Sequence, residues 1–368
     1  MNTSDSSNFR VKKSLPLRFL LSLIALIRFI LLAVAGIWGT FAIYYSDLPW
    51  EWVRLLLSIA FAGFGIWTFW MQKGRKMRLV FGAVFLGVAI YFMAIPPQMD
   101  RDWRREVAVL PRAYIDGNEV RITGFRNFDY RSREDFDEHY EERVVYLDHL
   151  TSVDLFISYW SVGPVGHTFV SFNFDNAAPV CISIETRPQE GQGYDPIASM
   201  FKQFELIYVV GDERDIVHVR TDHRDEKVLL YKLSTPPAAA RLLFLEYMRR
   251  INELSEQAEW YHLLKQNCTL NIVRYKNIAG REGSFDIRHL LNGWIDRYFY
   301  DTDMIDTSMP FPQMREASNV TEIAKATSVS LDAREYSQQI RKNLPGHSTT
   351  FSKSNGESQP PLDNGLSD

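Results

Sequence analysis

The sequence predicts an α+β protein carried behind three N-terminal transmembrane helices. Three observations predict this. Residues 17–97 hold three long apolar stretches, whereas the remainder has the mixed composition of a water-soluble domain. Beyond residue 150, short runs rich in β-branched and aromatic residues alternate with Gly, Pro, Asn and Asp, the pattern of strands joined by turns. At Pro236 the apolar period lengthens to that of a helix. The chain has 368 residues, 46% hydrophobic and 14% aromatic, enough to fill the core of one large domain besides the membrane part.

The first apolar stretch runs from Phe19 to about Tyr45, with Arg28 inside it. A second runs from about Leu55 to Met71, and a third from about Leu79 to Ile95, where Pro96-Pro97 stops it. Each has the length and polarity to cross a hydrocarbon core. A cleaved signal peptide fits poorly, because the first stretch is too long and lacks a small-residue cleavage site. Arg28 has two readings. It snorkels or pairs with a polar group, or it marks a lipid headgroup site.

Loop charges set the orientation. The tail of residues 1–16 carries Arg10, Lys12 and Lys13, and Arg18 follows; the second loop carries Lys73, Arg75, Lys76 and Arg78. The first loop is nearly balanced, with Asp47, Glu51 and Arg54. The positive-inside rule then keeps both basic segments cytoplasmic. Three crossings place everything after residue 98 on the opposite face, which in a bacterium is the periplasm or the exterior.

Residues 98–150 read as a mixed-charge connector. The strand-like runs that follow are VDLFISYWS, HTFVSFNF, VCISIET, FELIYVV, DIVHVRT and KVLLYKL, spaced as an antiparallel meander. PPAAARLLFLEYMRRINEL then places Leu242, Leu245, Met248 and Ile251 at helical spacing. A helix opening at Cys268 and another from Asp286 to Trp294 complete the domain, with VSLDAREYSQQIRKNLP as one more helix or a strap. Residues 346–368 are mostly Ser, Asn, Gly and Pro and are expected to be disordered. No repeat of twenty to fifty residues is visible. A net charge of -4 gives no sign of nucleic-acid binding.

Two cysteines, Cys181 and Cys268, exclude a disulfide framework. Cys268 sits between Asn267 and Thr269 at a helix start, where the helix dipole favours a thiolate. The alternative is a small buried hydrophobe, or a disulfide with Cys181 that would end any enzymatic role. Asn267 is either the N-cap of that helix or, with the Cys268 N–H, an oxyanion donor. His167, in Gly-His-Thr at a strand start, is a candidate base, in competition with His139, His149, His218, His223, His262, His289 and His347. Ser183 and Glu185 share a face of the neighbouring strand. Glu185 is the better electrostatic partner for an imidazole, unless it pairs with Arg187 or Arg220. No cluster has the ligand spacing of a metal site, and no cofactor is implied.

GHTFVSF, ISIETR, VRTDHR, VLLYKL and WYHLLKQNCT together resemble the Lnb N-terminal periplasmic domain, over residues 151–345. The GHT and NCT elements are its most specific parts. The order, histidine on an early strand and cysteine on a later helix, is similar to that of permuted NlpC-like, papain-fold thiol enzymes. That resemblance implies an antiparallel sheet with packed helices that brings His167 to Cys268. It also implies a bacterial inner-membrane location, with the domain in the periplasm.

The family includes a lipoprotein intramolecular transacylase. The resemblance therefore implies a cysteine acyltransferase or acyl hydrolase acting on membrane lipid or lipoprotein acyl esters through a thioester. Cys268 would be the nucleophile, His167 the base, Glu185 the orienting group and Asn267 an oxyanion donor. The three membrane spans depart from what the family pattern covers, so the exact reaction does not carry over. Two other readings stay open: a cysteine peptidase or amidase acting on cell-wall peptides, and a non-catalytic binding module.

Overall fold

The computed structural model describes residues 15–71, 74–161, 163, 165–263, 286–289 and 292–346, with side chains from residue 19 onward. The chain divides into two units. The first takes in the chain up to Ala108, together with Glu185–Ile207 and the segment from Glu256 to Asn267.

In the first unit the three apolar stretches are helices: α1 (Leu15–Tyr44), α2 (Glu51–Ile66) and α3 (Arg75–Ala94). α2 continues into a π-helical turn over Trp67–Met71. In the most apolar eighteen residues of α1 no side chain is buried, and in the other two spans only 17% and 11% are. Helices this apolar with so little covered surface need lipid as solvent. Gly39 permits the close crossing of α1 and α2, since a Cβ there would meet the Phe61 ring at 2.7 Å.

Segments from later in the sequence cover the ends of these helices. Ala42, Phe92, Ile95 and Phe201 form a buried cluster with Trp38, Tyr45 and Trp260 packed on it. Lys202, at φ 54°, turns its ammonium onto the C-terminal carbonyls of α3. It donates to Phe92 O at 3.0 Å, Met93 O at 2.9 Å and Ile95 O at 2.9 Å, satisfying acceptors that a helix end leaves open. Gln203 Nε2 donates to Tyr45 O at 2.7 Å.

The second unit, Val109–Ile184, Tyr208–Ser255 and the chain beyond residue 268, is built on a mixed sheet. Its strands are β1 (Arg112–Asp116), β2 (Glu119–Arg126), β5 (Tyr140–Tyr146), β6 (Leu150–Tyr159), β7 (His167–Phe174), β8 (Val180–Arg187), β9 (Glu205–Gly211) and β10 (Lys227–Lys232). A separate ribbon pairs β3 (Asp129–Tyr130) with β4 (Phe136–Asp137). β8 and β9 contribute residues to both units. The main order is β1-β2-β9-β8-β7-β6-β10, with β5 also on β2.

β6, β7 and β8 form the expected antiparallel meander, centred on Val170 opposite Leu155 and Ile182. The whole sheet is not a meander, however. β10 crosses over to pair with β6, and β2 meets β9 in parallel at Arg126 and Gly211. Gly211 is required there, because a Cβ would come within 2.4 Å of Arg126 O.

Three further expectations need correction. Residues 98–150 contain β1, β2 and β5 of the main sheet, because Val120, Ile122, Phe125 and Val145 turn inward and are fully buried between charged neighbours. DIVHVRT is not a strand. It forms the short helix α4 (Glu213–Ile216) and a π turn, Val219–His223, since buried ion pairs fix this backbone. Asp215 takes Arg126 bidentately at 2.9 and 2.7 Å and accepts Phe128 N at 2.8 Å. Finally, α5 (Pro237–Glu256) buries Ala240, Phe244, Tyr247, Met248, Ile251 and Leu254, while Leu242 is exposed. A strict three-residue step drifts off a 3.6-residue face.

The region expected as a helix from Asp286 to Trp294 holds 3₁₀ turns at Ile287–His289 and Asn292–Trp294, then α6 (Ile295–Asp301). The chain continues through α7 (Phe311–Ala317) and α8 (Thr321–Ala326) to α9 (Ala333–Ile340). Asp332 caps α9 by accepting from Arg334 N and Glu335 N at 2.8 and 2.9 Å. The tail beyond residue 346 lies outside the described residues.

Candidate active site

The edge of the sheet where β7 begins carries the candidate base. Gly166 donates its N–H to Asn292 Oδ1 at 2.9 Å, and a Cβ at Gly166 would meet Ser158 O at 3.0 Å. That position therefore favours glycine and has a fixed partner from the far end of the domain. His167 follows as the first residue of β7, opposite Ser158, half-buried where most of the strand is fully buried. A side chain at a strand end next to such a close backbone approach is both positioned and reachable.

The imidazole is held on two sides. Its Nε2 lies 2.7 Å from Ser183 Oγ, and its ring stacks on Phe169 with centroids 5.8 Å apart. Phe169 pairs with Ser183 across β7 and β8, so pleat geometry delivers the hydroxyl to the ring. Arg220 completes the group. Its Nη2 donates to Ser183 Oγ at 3.3 Å and its Nη1 to Ile216 O at 2.6 Å. The guanidinium carbon also sits 4.7 Å from the Phe169 centroid. Ser158, on the other side of His167, donates to the buried Glu226.

Glu185 lies two residues beyond Ser183, on the same face of β8 and half-buried. The group that the structure places on Nε2 is the Ser183 hydroxyl. Arg187, one of the two expected competitors for Glu185, donates to Val107 O at 2.9 Å and Ala108 O at 2.6 Å. Cys268 and Asn267 lie outside the described residues. Cys181 is a free thiol, fully buried, and burial pushes its pKa well above the usual thiol value. That burial shields it from reagents.

Several other histidines have settled surroundings. His218 Nδ1 is 3.0 Å from Asp222, and burial pulls its pKa down against that carboxylate. His149 is exposed and pairs with Asp175 at 2.6 Å. His289 is buried, with its ring edge-on to Tyr298 at 4.6 Å. Among the described residues no three His, Cys, Asp or Glu side chains are grouped to hold a metal.

Ser183 was visible in the sequence only as a companion of Glu185, and strand alternation was the signal for it. Arg220 was visible only as a competitor for Glu185, and the reading of DIVHVRT as a strand hid its reach to Ser183. Asn292 and Glu226 left no local signal, since they reach the site from distant segments.

An α+β domain with a positioned histidine at a strand start, following three membrane-length helices, defines a class of membrane-anchored domain proteins. Residues 136–293 match the family model of the Lnb N-terminal periplasmic domain. The match begins and ends earlier than residues 151–345, running from β4 to the 3₁₀ turn at Asn292–Trp294. No curated protein and no solved structure matches the chain. The molecule is a membrane-anchored protein bearing a periplasmic domain.

Proposed function

We propose that this protein is a cysteine acyltransferase or acyl hydrolase of the bacterial inner membrane, acting from the periplasmic side on lipid or lipoprotein acyl esters. The observation that carries this reading is His167, fixed by Ser183 at 2.7 Å at the start of β7 inside an Lnb N-terminal domain. A fixed, half-exposed imidazole is what thiol chemistry requires. The membrane anchor supports a lipid-borne substrate, and the antiparallel β6-β7-β8 unit supports a permuted papain-like arrangement.

In this mechanism His167 takes the proton of Cys268 at Nδ1 while Nε2 donates to Ser183 Oγ, whose oxygen also accepts from Arg220. The thiolate attacks the ester carbonyl, and the Asn267 amide with the Cys268 N–H receives the charge of the tetrahedral intermediate. That intermediate collapses with cleavage of the carbon–oxygen bond. The alcohol leaves with the proton from His167, and the acyl group remains as a thioester on Cys268. An amine, hydroxyl or water then attacks the thioester as His167 removes its proton. The carbon–sulfur bond breaks and the thiol is restored. Glu185, on the Ser183 face of β8, is the candidate for added negative charge near the imidazole.

Intact mass of the full chain, after incubation with vesicles of phospholipid and diacylated lipopeptide, tests this. The expected result is an acyl-sized gain that is absent in Cys268→Ala, much slowed in His167→Gln and removed by hydroxylamine. Absence of any adduct while Cys268 alkylates freely would overturn the acyl reading in favour of peptide substrates. Identical cellular behaviour of Cys268→Ser and wild type would favour a binding module.

A further inference from the structure

The membrane helices line an open cavity of about 770 Å³, within the roughly 300–1,000 Å³ range of ligand pockets. Two of its lining residues are Arg28 and Arg78. Ile24, Leu32, Phe61, Phe69 and Phe81 supply an apolar wall, and the π turn at Trp67–Met71 brings Phe69 and Trp70 onto it.

The two arginines lie at one depth. Counting about 20 residues back from the domain-side ends Tyr44 and Ala94, the length that crosses a bilayer core, reaches about residue 25 in α1 and residue 75 in α3. Arg28 and Arg78 thus both lie about one turn inside the boundary of the leaflet that faces the N-terminal tail. Arginine side chains there snorkel to the level of lipid phosphates. From Leu15 to Ala94 the only acidic residues are Asp47 and Glu51, both at the opposite end of the helices. Among the described residues, Arg78 Nε is buried without a hydrogen-bond partner. Both arginines therefore line the cavity with no carboxylate at their depth among the described residues of the three helices. The lining continues from Arg28 to Phe41, thirteen residues or about 20 Å along α1, through the middle of the membrane and into its other half.

From this we infer that the cavity is a binding site for an anionic phospholipid of the leaflet away from the periplasmic domain. Arg28 and Arg78 hold the phosphate, and one acyl chain lies along α1 over the packed rings of Phe61 and Phe81. Binding is tested in the Cys268→Ala background, so that acyl transfer cannot be mistaken for it.

Native mass spectrometry of the full chain released from detergent is the test, with phosphatidylglycerol, phosphatidylcholine and diacylglycerol of matched chains as probes. Phosphatidylglycerol is expected to stay bound under conditions that strip the other two, and excess inorganic phosphate is expected not to displace it. The double variant Arg28→Gln/Arg78→Gln should bind it roughly ten- to thirtyfold more weakly. Gly36 lines the cavity and has open space around its Cβ position, so Gly36→Phe should abolish binding with both arginines intact. Gly87, equally open but not in the lining, supplies the control: Gly87→Phe should bind like wild type. Equal retention of diacylglycerol and phosphatidylglycerol by the wild type overturns the inference without any variant. Unchanged affinity in the double variant, or in Gly36→Phe, overturns it as well.

Discussion

His167 is placed by neighbours of different kinds. Backbone pairing with Ser158 and the pinned Gly166 set where its Cα lies, Phe169 sets the plane of the ring, and Ser183 engages Nε2. A hydroxyl orients the imidazole but brings no negative charge, unlike the carboxylate of a Ser-His-Asp constellation. Arg220 fixes the hydroxyl in turn, so in the proposed mechanism Ser183 is a positioning residue rather than a reacting one. Ser183→Ala is expected to slow Cys268 acylation by roughly tenfold to a hundredfold, the scale of a misplaced catalytic group. It should also displace the pH–rate profile, with Ser183→Thr restoring most of the rate. A rate and pH profile like wild type in Ser183→Ala would show that the hydroxyl has no part in positioning the ring.

At the scale of elements, the sequence was legible wherever a segment's own pattern decided its conformation. β7 spans the same residues as the run HTFVSFNF, and β6, β8, β9 and β10 lie within a few residues of their apolar runs. The three apolar helices were equally plain, because lipid as solvent imposes a length and polarity that few other segments meet. Legibility failed where distant charges decide. β2 and β5 together hide four buried apolar residues among arginines and glutamates. α4 is shaped by acids whose partners lie far away in the sequence. One partner is Arg341, just past α9, which donates to Asp154 Oδ2 at 2.9 Å and to Glu213 Oε2 at 2.6 Å. Burial raises the pKa of Glu213, but Arg341 outweighs it and holds the carboxyl below its usual value. Arg341→Met would leave two buried carboxylates uncompensated, at a cost of about 3–5 kcal/mol. The sign with pH follows. A depressed carboxyl pKa contributes stability above the unfolded value of 4.5, and that contribution is lost as pH falls through the folded value. The gap between wild-type and variant melting temperatures in detergent should therefore be widest near neutrality and narrow on acidification below about 4.5. A gap that does not change with pH would mean that the Glu213–Arg341 pair does not carry the stability.

At the scale of the whole molecule, the membrane helices are more than a tether, because part of the folded chain uses them as core. Phe201 is 6% exposed and packs with Ala42, Phe92 and Ile95, with Trp260 on the same cluster. Lys202, Gln203 and Trp260 give hydrogen bonds to carbonyls at the helix ends. Both segments lie within residues 136–293, the stretch matched by the family model. These two segments of the matched stretch thus have apolar partners from residues 38–95. A chain that begins after Pro97 loses those partners and presents Met200, Phe201 and Trp260 to water, together with donors whose acceptors are gone. Exposed clusters of this kind drive association. The truncated chain is expected to elute as aggregates in size-exclusion chromatography without detergent and to return toward monomer when detergent covers the face. Phe201→Ser in the truncated chain should shift the balance toward monomer, whereas in the full chain the same substitution should lower the melting temperature, as burial of a polar group in a cavity does. A truncated chain that runs as a monomer without detergent would show that the segments around Phe201 and Trp260 fold without the membrane helices.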